Sequence, residues 1–152
     1  MGTKNHILIV LSESDRTQFG KQDFADQSTP QRVFSSIWAL ESEVNNGGFS
    51  QSFLNSNCET APFVAEALET IGAARTADIC RRAITTAFPA GLPSNPDVIS
   101  AAAADFSDEL MESLGSLDNE FFAYPDNLTD LLFAFVSKHP QEFGDLPKAD
   151  DE

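Results

Sequence analysis

Carboxylates dominate the second half of the chain. From residue 83 to residue 137 the sequence contains no lysine or arginine, whereas nine acidic residues occur there. They are Asp97, Asp105, Asp108, Glu109, Glu112, Asp118, Glu120, Asp126 and Asp130. Carboxylates without neighbouring cations can bind a divalent cation, or they can present a row of negative charge to a basic partner.

Four of these acids have helical spacing. Asp105, Asp108, Glu109 and Glu112 stand three and four residues apart, and on one long helix over about residues 96–114 they would form a single acidic stripe. Neighbouring positions on a helix face lie about 5–6 Å apart, which is comparable in scale with the phosphates along a nucleic-acid strand. We therefore predict that this stripe acts as a row of phosphate surrogates towards the Lys and Arg of a DNA-binding protein. The predicted partner-binding set also includes Asp118, Glu120, Asp126 and Asp130. The alternative is a solvated face whose acidity serves only solubility.

Other chemistry has little support in the sequence. A metal site would need carboxylates converging from a loop or a second helix, and no Asp-rich loop with a central Gly and a closing Glu is present. His6 and His139 fit surface or capping roles, and Cys58 and Cys80 fall in no ligand or redox motif. The sequence thus predicts no catalytic residue, no metal and no cofactor, and a protein that is not an enzyme. An enzyme with an acidic metal site stays as a third hypothesis.

Composition sets the class of protein and of partner. The 152 residues are 41% hydrophobic with 13 Phe, which suffices for one domain with a real core. The net charge of −15 repels nucleic acid and anionic membranes and favours basic partners. The apolar run 7–11 is too short for a signal peptide or a membrane span, so we expect a cytoplasmic location.

Hydrophobic spacing predicts an all-α fold, a single compact bundle of about six or seven helices. The expected helices cover about 30–45, 60–71, 74–87, 96–114, 116–122 and 128–138, and strand signals are nearly absent. Thr60, Asn95 and Asn127 are the expected N-caps, the last with Asp130 three residues later as in a weaker capping box. Gly72 is expected to end the helix before it, and Gly115 is expected to stop the long helix. The predicted organisation is a partly irregular segment 1–29, a helical domain 30–143 and an acidic mobile tail 144–152.

The first helix runs into two Asn and two Gly. Glycine reaches positive φ without steric cost, so we predict a left-handed cap and a sharp turn here. Phe49 and Phe53, four apart, would then return to the core, and Gln51 and Asn55 would share a different face. The structural signature is Asn46, Gly47, Gly48, Phe49, Gln51, Phe53 and Asn55.

This signature resembles that of a small bacterial domain family named for DNA-mimic protein nineteen. Further matching segments are Glu66–Ala73, Leu117–Phe122 and Leu128–His139, so the resemblance covers about 30–143. The resemblance implies an all-helical fold, an acidic surface, self-association as a homodimer, and occupation of the DNA-binding face of a transcription factor or nucleoid protein. The signature is structural, and the acids predicted to mimic DNA lie outside it.

The sequence leaves a second function open. A non-catalytic regulatory or immunity-type interaction domain could use the polar patch of Asn46, Gln51 and Asn55, with acidity serving solubility alone. The two hypotheses differ in where the acids lie. Acids gathered on one face favour mimicry. Acids spread evenly over the surface, together with a pocket lined by the Asn/Gln patch, favour the second hypothesis.

Overall fold

The computed structural model describes residues 8–9, 27–54 and 61–143, with the backbone alone for Glu142. Seven helices lie in these ranges: α1 Thr29–Leu54, α2 Ala61–Thr70, α3 Ala74–Ala87, α4 Pro96–Ala104, α5 Asp108–Phe122, α6 Leu128–Ser137 and α7 Pro140–Phe143. No strand occurs in them. The predicted all-α class is confirmed. Among the described helices, none has both the length and the hydropathy that a membrane span needs.

The chain divides into two units. The central unit comprises residues 36–126, and the terminal unit comprises residues 1–35 together with 127–152. Most of α1 and all of α2 to α5 belong to the central unit, whereas α6 and α7 belong to the terminal unit. The predicted tail and nearly all of the predicted N-terminal segment, with His6, Asn55, Cys58 and the expected cap Thr60, lie outside the described residues.

Helix α1 begins at a reciprocal cap and is interrupted at the predicted glycines. Gln31 N–H and Ser28 Oγ lie 3.4 Å apart, and the Gln31 side chain accepts from Ser28 N–H at 2.8 Å. The backbone leaves helical geometry at Gly47 and at Gly48, whose φ is 81° and ψ −177°. The predicted positive φ is confirmed, but the left-handed helical cap is wrong. Gly48 is in the extended mirror region that only glycine visits readily, so the chain kinks and re-enters a helix.

The connection between α2 and α3 follows the sequence prediction closely. Gly72 has φ 92°, Ala73 N–H donates to Leu68 O at 2.8 Å, and Gly72 N–H donates to Glu69 O at 3.0 Å. These two bonds make a Schellman motif, which ends α2 and turns the chain. Helix α3 then has the predicted bounds 74–87.

The predicted long helix over 96–114 is wrong. Helix α4 starts as expected, with Asn95 Oδ1 accepting from Asp97 N–H at 2.8 Å, but it ends at Ala104. A new helix starts three residues later because Ser107 Oγ accepts from Leu110 N–H at 3.1 Å, an N-cap within the expected helix. Gly115 does not stop α5, which continues to Phe122. A Cβ added at Gly115 would have no heavy atom within 4 Å, so the glycine fulfils no close-packing requirement.

Aromatic side chains fill the core of the central unit. The rings of Phe53, Phe88 and Phe106 contact one another edge to face, with centroids 5.4–6.4 Å apart. Phe49 and Phe121 form a second edge-to-face pair at 5.9 Å. The predicted burial of Phe49 and Phe53 is confirmed. The half-buried Phe106 therefore anchors the connection between α4 and α5 to the rings of Phe53 and Phe88.

The terminal unit has its own buried side chains. Leu128, Leu132 and Val136 are buried on α6, as their 3.6-residue spacing predicts. Phe34 and Phe143 pack edge to face with centroids 5.9 Å apart. Asn127 caps α6.

Candidate partner-binding surface

Four exposed carboxylates flank the α4–α5 connection, and we call them the acidic segment: Asp105, Asp108, Glu109 and Glu112. They do not form a stripe on one helix, because α4 ends before Asp105 and α5 begins at Asp108. The acidic segment covers the three-residue connection 105–107 and the first turns of α5. Within the described residues, none of the four has an ion pair.

Local backbone chemistry explains why this segment tolerates its charge. Asp108 and Glu109 occupy the first turn of α5, where the partial positive charge of the helix N-terminus stabilises anions by about 0.3–1 kcal/mol each. Asp105 is the C-cap of α4, where the same effect opposes a negative charge. Between them, the half-buried Phe106 packs edge to face on Phe53 and Phe88, which holds the connection in place. The acids therefore stay in solvent while the backbone that carries them is fixed.

Asp118 joins helix α5 to the kink of α1 instead of facing solvent with the acidic segment. Its Oδ1 accepts from Phe49 N–H at 2.8 Å, across from α5 to the kink of α1. A Cβ on Gly48 would lie 2.3 Å from Asp118 Oδ2, so the carboxylate occupies the space that the missing side chain leaves. Burial raises the pKa of Asp118, and the hydrogen bond from Phe49 N–H opposes that rise.

Glu120 is an exposed ion-pair partner. Arg82 Nη2 and Nη1 donate to Glu120 Oε1 and Oε2 at 2.7 and 2.9 Å, and Arg82 Nε donates to Asp78 Oδ2 at 2.9 Å. The hydrogen bond from Arg82 lowers the pKa of Glu120. This bidentate pair joins α3 to α5.

Asp126 caps the N-terminus of α3, whereas Asp130 lies in the first turn of α6, which Asn127 caps. Helix α3 has no side-chain cap of its own at Ala73, and Asp126 Oδ2 instead accepts from Thr76 N–H at 2.8 Å and from Thr76 Oγ1 at 3.0 Å. Asp130 N–H donates to Asn127 Oδ1 at 3.1 Å, and Asn127 Nδ2 donates to Asp130 Oδ2 at 2.9 Å, the capping relation that the spacing predicts. Asp130 belongs to the terminal unit. The structure thus groups four of the eight predicted acids in the acidic segment and gives the other four local partners.

Two members of the predicted Asn/Gln patch, Asn46 and Gln51, lie among the described residues, and Asn55 does not. Gln51 Nε2 donates to Glu43 Oε2 at 3.2 Å and lies over Gly47, whose added Cβ would be 2.0 Å from Gln51 Oε1. Asn46 is exposed. The amide of Gln51 is therefore engaged with its own helix.

A polar network that the sequence did not indicate lies near this kink. Tyr124 OH donates to Glu41 Oε2 at 2.7 Å and accepts from Asn45 Nδ2 at 3.0 Å. Burial raises the pKa of Tyr124 to about 12. Glu41 and Asn45 are four apart on α1, and that spacing is the one sequence signal, but their partner is 79 residues from Asn45.

The remaining polar groups suggest no further chemistry. In the part of the chain that the structure describes, no three His, Cys, Asp or Glu side chains lie together as metal ligands would. Cys80 is buried, and burial raises the pKa of its thiol to about 12, so the reactive thiolate is disfavoured. His139 Nδ1 lies 2.7 Å from Phe135 O at the end of α6.

Comparison with known proteins identifies the family. A family model described as DMP19-like protein matches residues 25–139. The chain belongs to the DMP19-like protein family. The predicted resemblance is confirmed. No curated protein and no solved structure matches the chain.

In this DMP19-like chain, two segments that carry the resemblance meet in space. The Asn-Gly-Gly-Phe kink of α1 receives Asp118 of the Leu117–Phe122 segment, and Phe49 packs on Phe121. Gly48 has no side chain, which leaves room for the Asp118 carboxylate. The carboxylate in turn accepts from Phe49 N–H, which the kink leaves without a helical partner. We call this arrangement the glycine–aspartate lock: Gly48, Phe49, Asp118 and Phe121.

Proposed function

We propose that this protein is a non-catalytic DNA mimic that occupies the DNA-binding surface of a basic partner, a transcription factor or nucleoid protein. The acidic segment would take the place of DNA phosphates and contact the partner's Lys and Arg. One observation carries this proposal: four exposed carboxylates within eight residues, Asp105 to Glu112, have no cationic partner among the described residues. We place this activity in the cytoplasm and expect the protein to act as a homodimer.

The distribution of arginine supports this choice. In the described part of the central unit, three arginines stand against 13 acids, and all three lie on α3. Arg81 pairs with Glu69, and Arg82 with Asp78 and Glu120. The internal cations are therefore committed away from the acidic segment, so its potential stays negative towards an approaching partner. Family membership is independent support, because DNA mimicry is what the family is named for.

Neutralisation of the acidic segment is the direct test. The variant carries Asp105→Asn, Asp108→Asn, Glu109→Gln and Glu112→Gln; neutral residues are preferable to lysine because cations in the first turn of α5 would oppose the helix dipole. The matched control removes four charges elsewhere in the central unit, with Glu66→Gln, Glu69→Gln, Asp78→Asn and Asp97→Asn. Four exposed ion pairs at roughly 0.5 kcal/mol each predict about thirty-fold weaker binding for the first variant alone.

The measurement starts from capture in a lysate of the source organism, with and without added duplex DNA. A captured DNA-binding protein is then purified and titrated with both variants. The proposal expects DNA to displace the partner, and it expects binding to weaken steeply as salt screens charges beyond about 10 Å at 0.1 M. Equal affinity of the two variants for the partner would refute the proposal. Binding that neither added duplex DNA nor salt weakens would also refute it, and either result would favour the regulatory or immunity-type alternative.

A further inference from the structure

Beside the acidic segment, helix α5 exposes apolar side chains. Met111 is 43% exposed and Phe122 is 46% exposed, although both belong to residue types that usually lie inside. Gly115 lies between them, and the space in front of it is open, since an added Cβ would meet no heavy atom within 4 Å. We call these three residues the Met111–Phe122 face.

Helix geometry places the three residues on one side. At 3.6 residues per turn, Gly115 is one turn beyond Met111, and Phe122 is three turns beyond Met111. The buried residues of α5 are Leu114, Leu117 and Phe121, which point towards the core about 100° away around the helix axis. The Met111–Phe122 face is therefore a separate, solvent-facing side of α5, with its smallest residue in the middle.

Negative charge borders this face. Asp108 lies one turn before Met111, and Glu112 lies one turn after Asp108 on the adjacent row. Both carboxylates are exposed and have no ion pair among the described residues. A surface that combines two apolar side chains, a glycine gap and bordering carboxylates complements an amphipathic helix that carries leucine-like residues on one side and Lys or Arg at its edges.

We infer that the Met111–Phe122 face docks a basic amphipathic α-helix of the protein partner. The glycine gap allows the partner's backbone to approach α5, Met111 and Phe122 cover its apolar side, and Asp108 and Glu112 meet its cations. This inference rests on the proposed function and adds to it. Charge alone would allow any basic protein surface to bind, whereas the apolar contacts make binding specific for helices with one hydrophobic side.

Two synthetic helical peptides of equal length and equal positive charge separate these cases. The first is an amphipathic Lys/Leu peptide with its leucines on one side, and the second has every leucine replaced by alanine. We expect the full chain to bind the first peptide at least ten-fold more tightly, as measured by fluorescence anisotropy at 0.1 M salt, with NMR shifts at the Met111 methyl and the Gly115 amide.

Three variants locate the contact. Met111→Ser with Phe122→Ser should abolish the preference for the leucine peptide while leaving the alanine peptide unaffected. Gly115→Gln should weaken the leucine peptide by filling the gap. Ser116→Gln is its matched control, because it places the same side chain one residue along α5, next to the groove lined by Arg81 and Arg82. Circular dichroism checks that each variant keeps its helix content.

The outcomes discriminate between the inference and the proposed function. Equal affinity of the wild-type chain for both peptides overturns the inference and leaves charge-driven mimicry intact. If the Met111/Phe122 variant instead changes a dimer into a monomer in analytical ultracentrifugation, the face belongs to a second copy, and the inference is also overturned. Loss of DNA-displaceable capture from the lysate would refute the proposed function itself.

Discussion

Two groups of carboxylates on neighbouring parts of the central unit have opposite roles. Asp118 and Asp126 accept backbone N–H groups of distant helices, whereas Asp108 and Glu112 lie in solvent. The residue types are the same, and Asp118 even shares a helix with the acidic segment. What differs is whether an unpaired backbone donor lies within reach. Net charge therefore overstates the surface available for mimicry, because part of the acid content holds the fold together.

The comparison predicts that a substitution in the glycine–aspartate lock lowers the free energy of unfolding more than the other substitutions below. Gly48→Ala places a Cβ 2.3 Å from Asp118 Oδ2 at a φ of 81°. Backbone strain and displacement of the carboxylate together should reduce the free energy of unfolding by about 3 kcal/mol. Chemical denaturation followed by circular dichroism measures this loss.

Gly47→Ala is the matched control for this substitution. Its Cβ would meet the Gln51 side chain, whose outer atoms can rotate away and give up the bond to Glu43, while the Gln51 Cβ must shift slightly. Since Gly47 does not have a positive φ, we expect a smaller loss than for Gly48→Ala, about 1–2 kcal/mol. Losses of equal size at the two glycines would contradict the lock, as would a Gly48→Ala cost unchanged in an Asp118→Ala background.

Asp126→Ala should have the next largest effect. It removes the only side-chain cap that the described residues supply to α3, so unfolding should become easier by about 0.5–2 kcal/mol. Asp105→Ala, an acidic residue changed in the same way, should cause no loss, because its carboxylate opposes the α4 dipole. Thermal unfolding of the two variants compares the groups directly. If Asp105→Ala lost more stability than Asp126→Ala, the assignment of structural and solvent-exposed carboxylates would be wrong.

The sequence predicted the helical elements better than the contacts between them. Local signals sufficed for the Schellman motif at Gly72, the caps at Asn95 and Asn127, and the bounds of α3. They failed at residues 104–108 because the N-cap at Ser107 is one polar residue within an otherwise continuous helical pattern, and Gly115 looked like the stronger stop. A glycine within a helix, such as the half-buried Gly115, costs only about 1 kcal/mol, which packing on either side offsets.

The candidate site was only half predictable for a related reason. The positions of Asp105, Asp108, Glu109 and Glu112 in solvent follow from their charge and their three- and four-residue spacing, which local patterning reports. The bonds from Asp118 to Phe49 and from Asp126 to Thr76 join residues 69 and 50 positions apart. No spacing rule within one helix contains that information, and glycine at position 48 is the one local clue that something approaches closely.

Tyr124→Phe should reduce the free energy of unfolding less than Gly48→Ala or Asp126→Ala does. It removes the hydroxyl that joins Glu41 and Asn45, groups that are near solvent and can rehydrate, so we expect a loss of about 0.5–1 kcal/mol. Tyr124 has φ 49°, and Tyr124→Gly would lose the same bonds but relieve strain of roughly 1–2 kcal/mol. Denaturation midpoints should therefore place Tyr124→Gly at or above Tyr124→Phe. The reverse order would mean that the packing of the Tyr124 ring on Phe121, which only Tyr124→Gly loses, outweighs the backbone strain.

The smallest expected effect is a pH dependence that distinguishes Asp118 from a merely solvated acid. Burial raises its pKa in the folded state, so the protonated form fits the fold better, and this stabilisation is lost as pH rises through the raised value. Asp118→Asn keeps an oxygen that can accept from Phe49 N–H but cannot ionise. As pH falls from 7 towards 4, wild type should therefore gain stability relative to Asp118→Asn, with Asn119→Ser as a control that changes no titratable side chain. If wild type instead loses stability relative to the variant, the hydrogen bond from Phe49 outweighs burial, and the lock depends on a charged carboxylate.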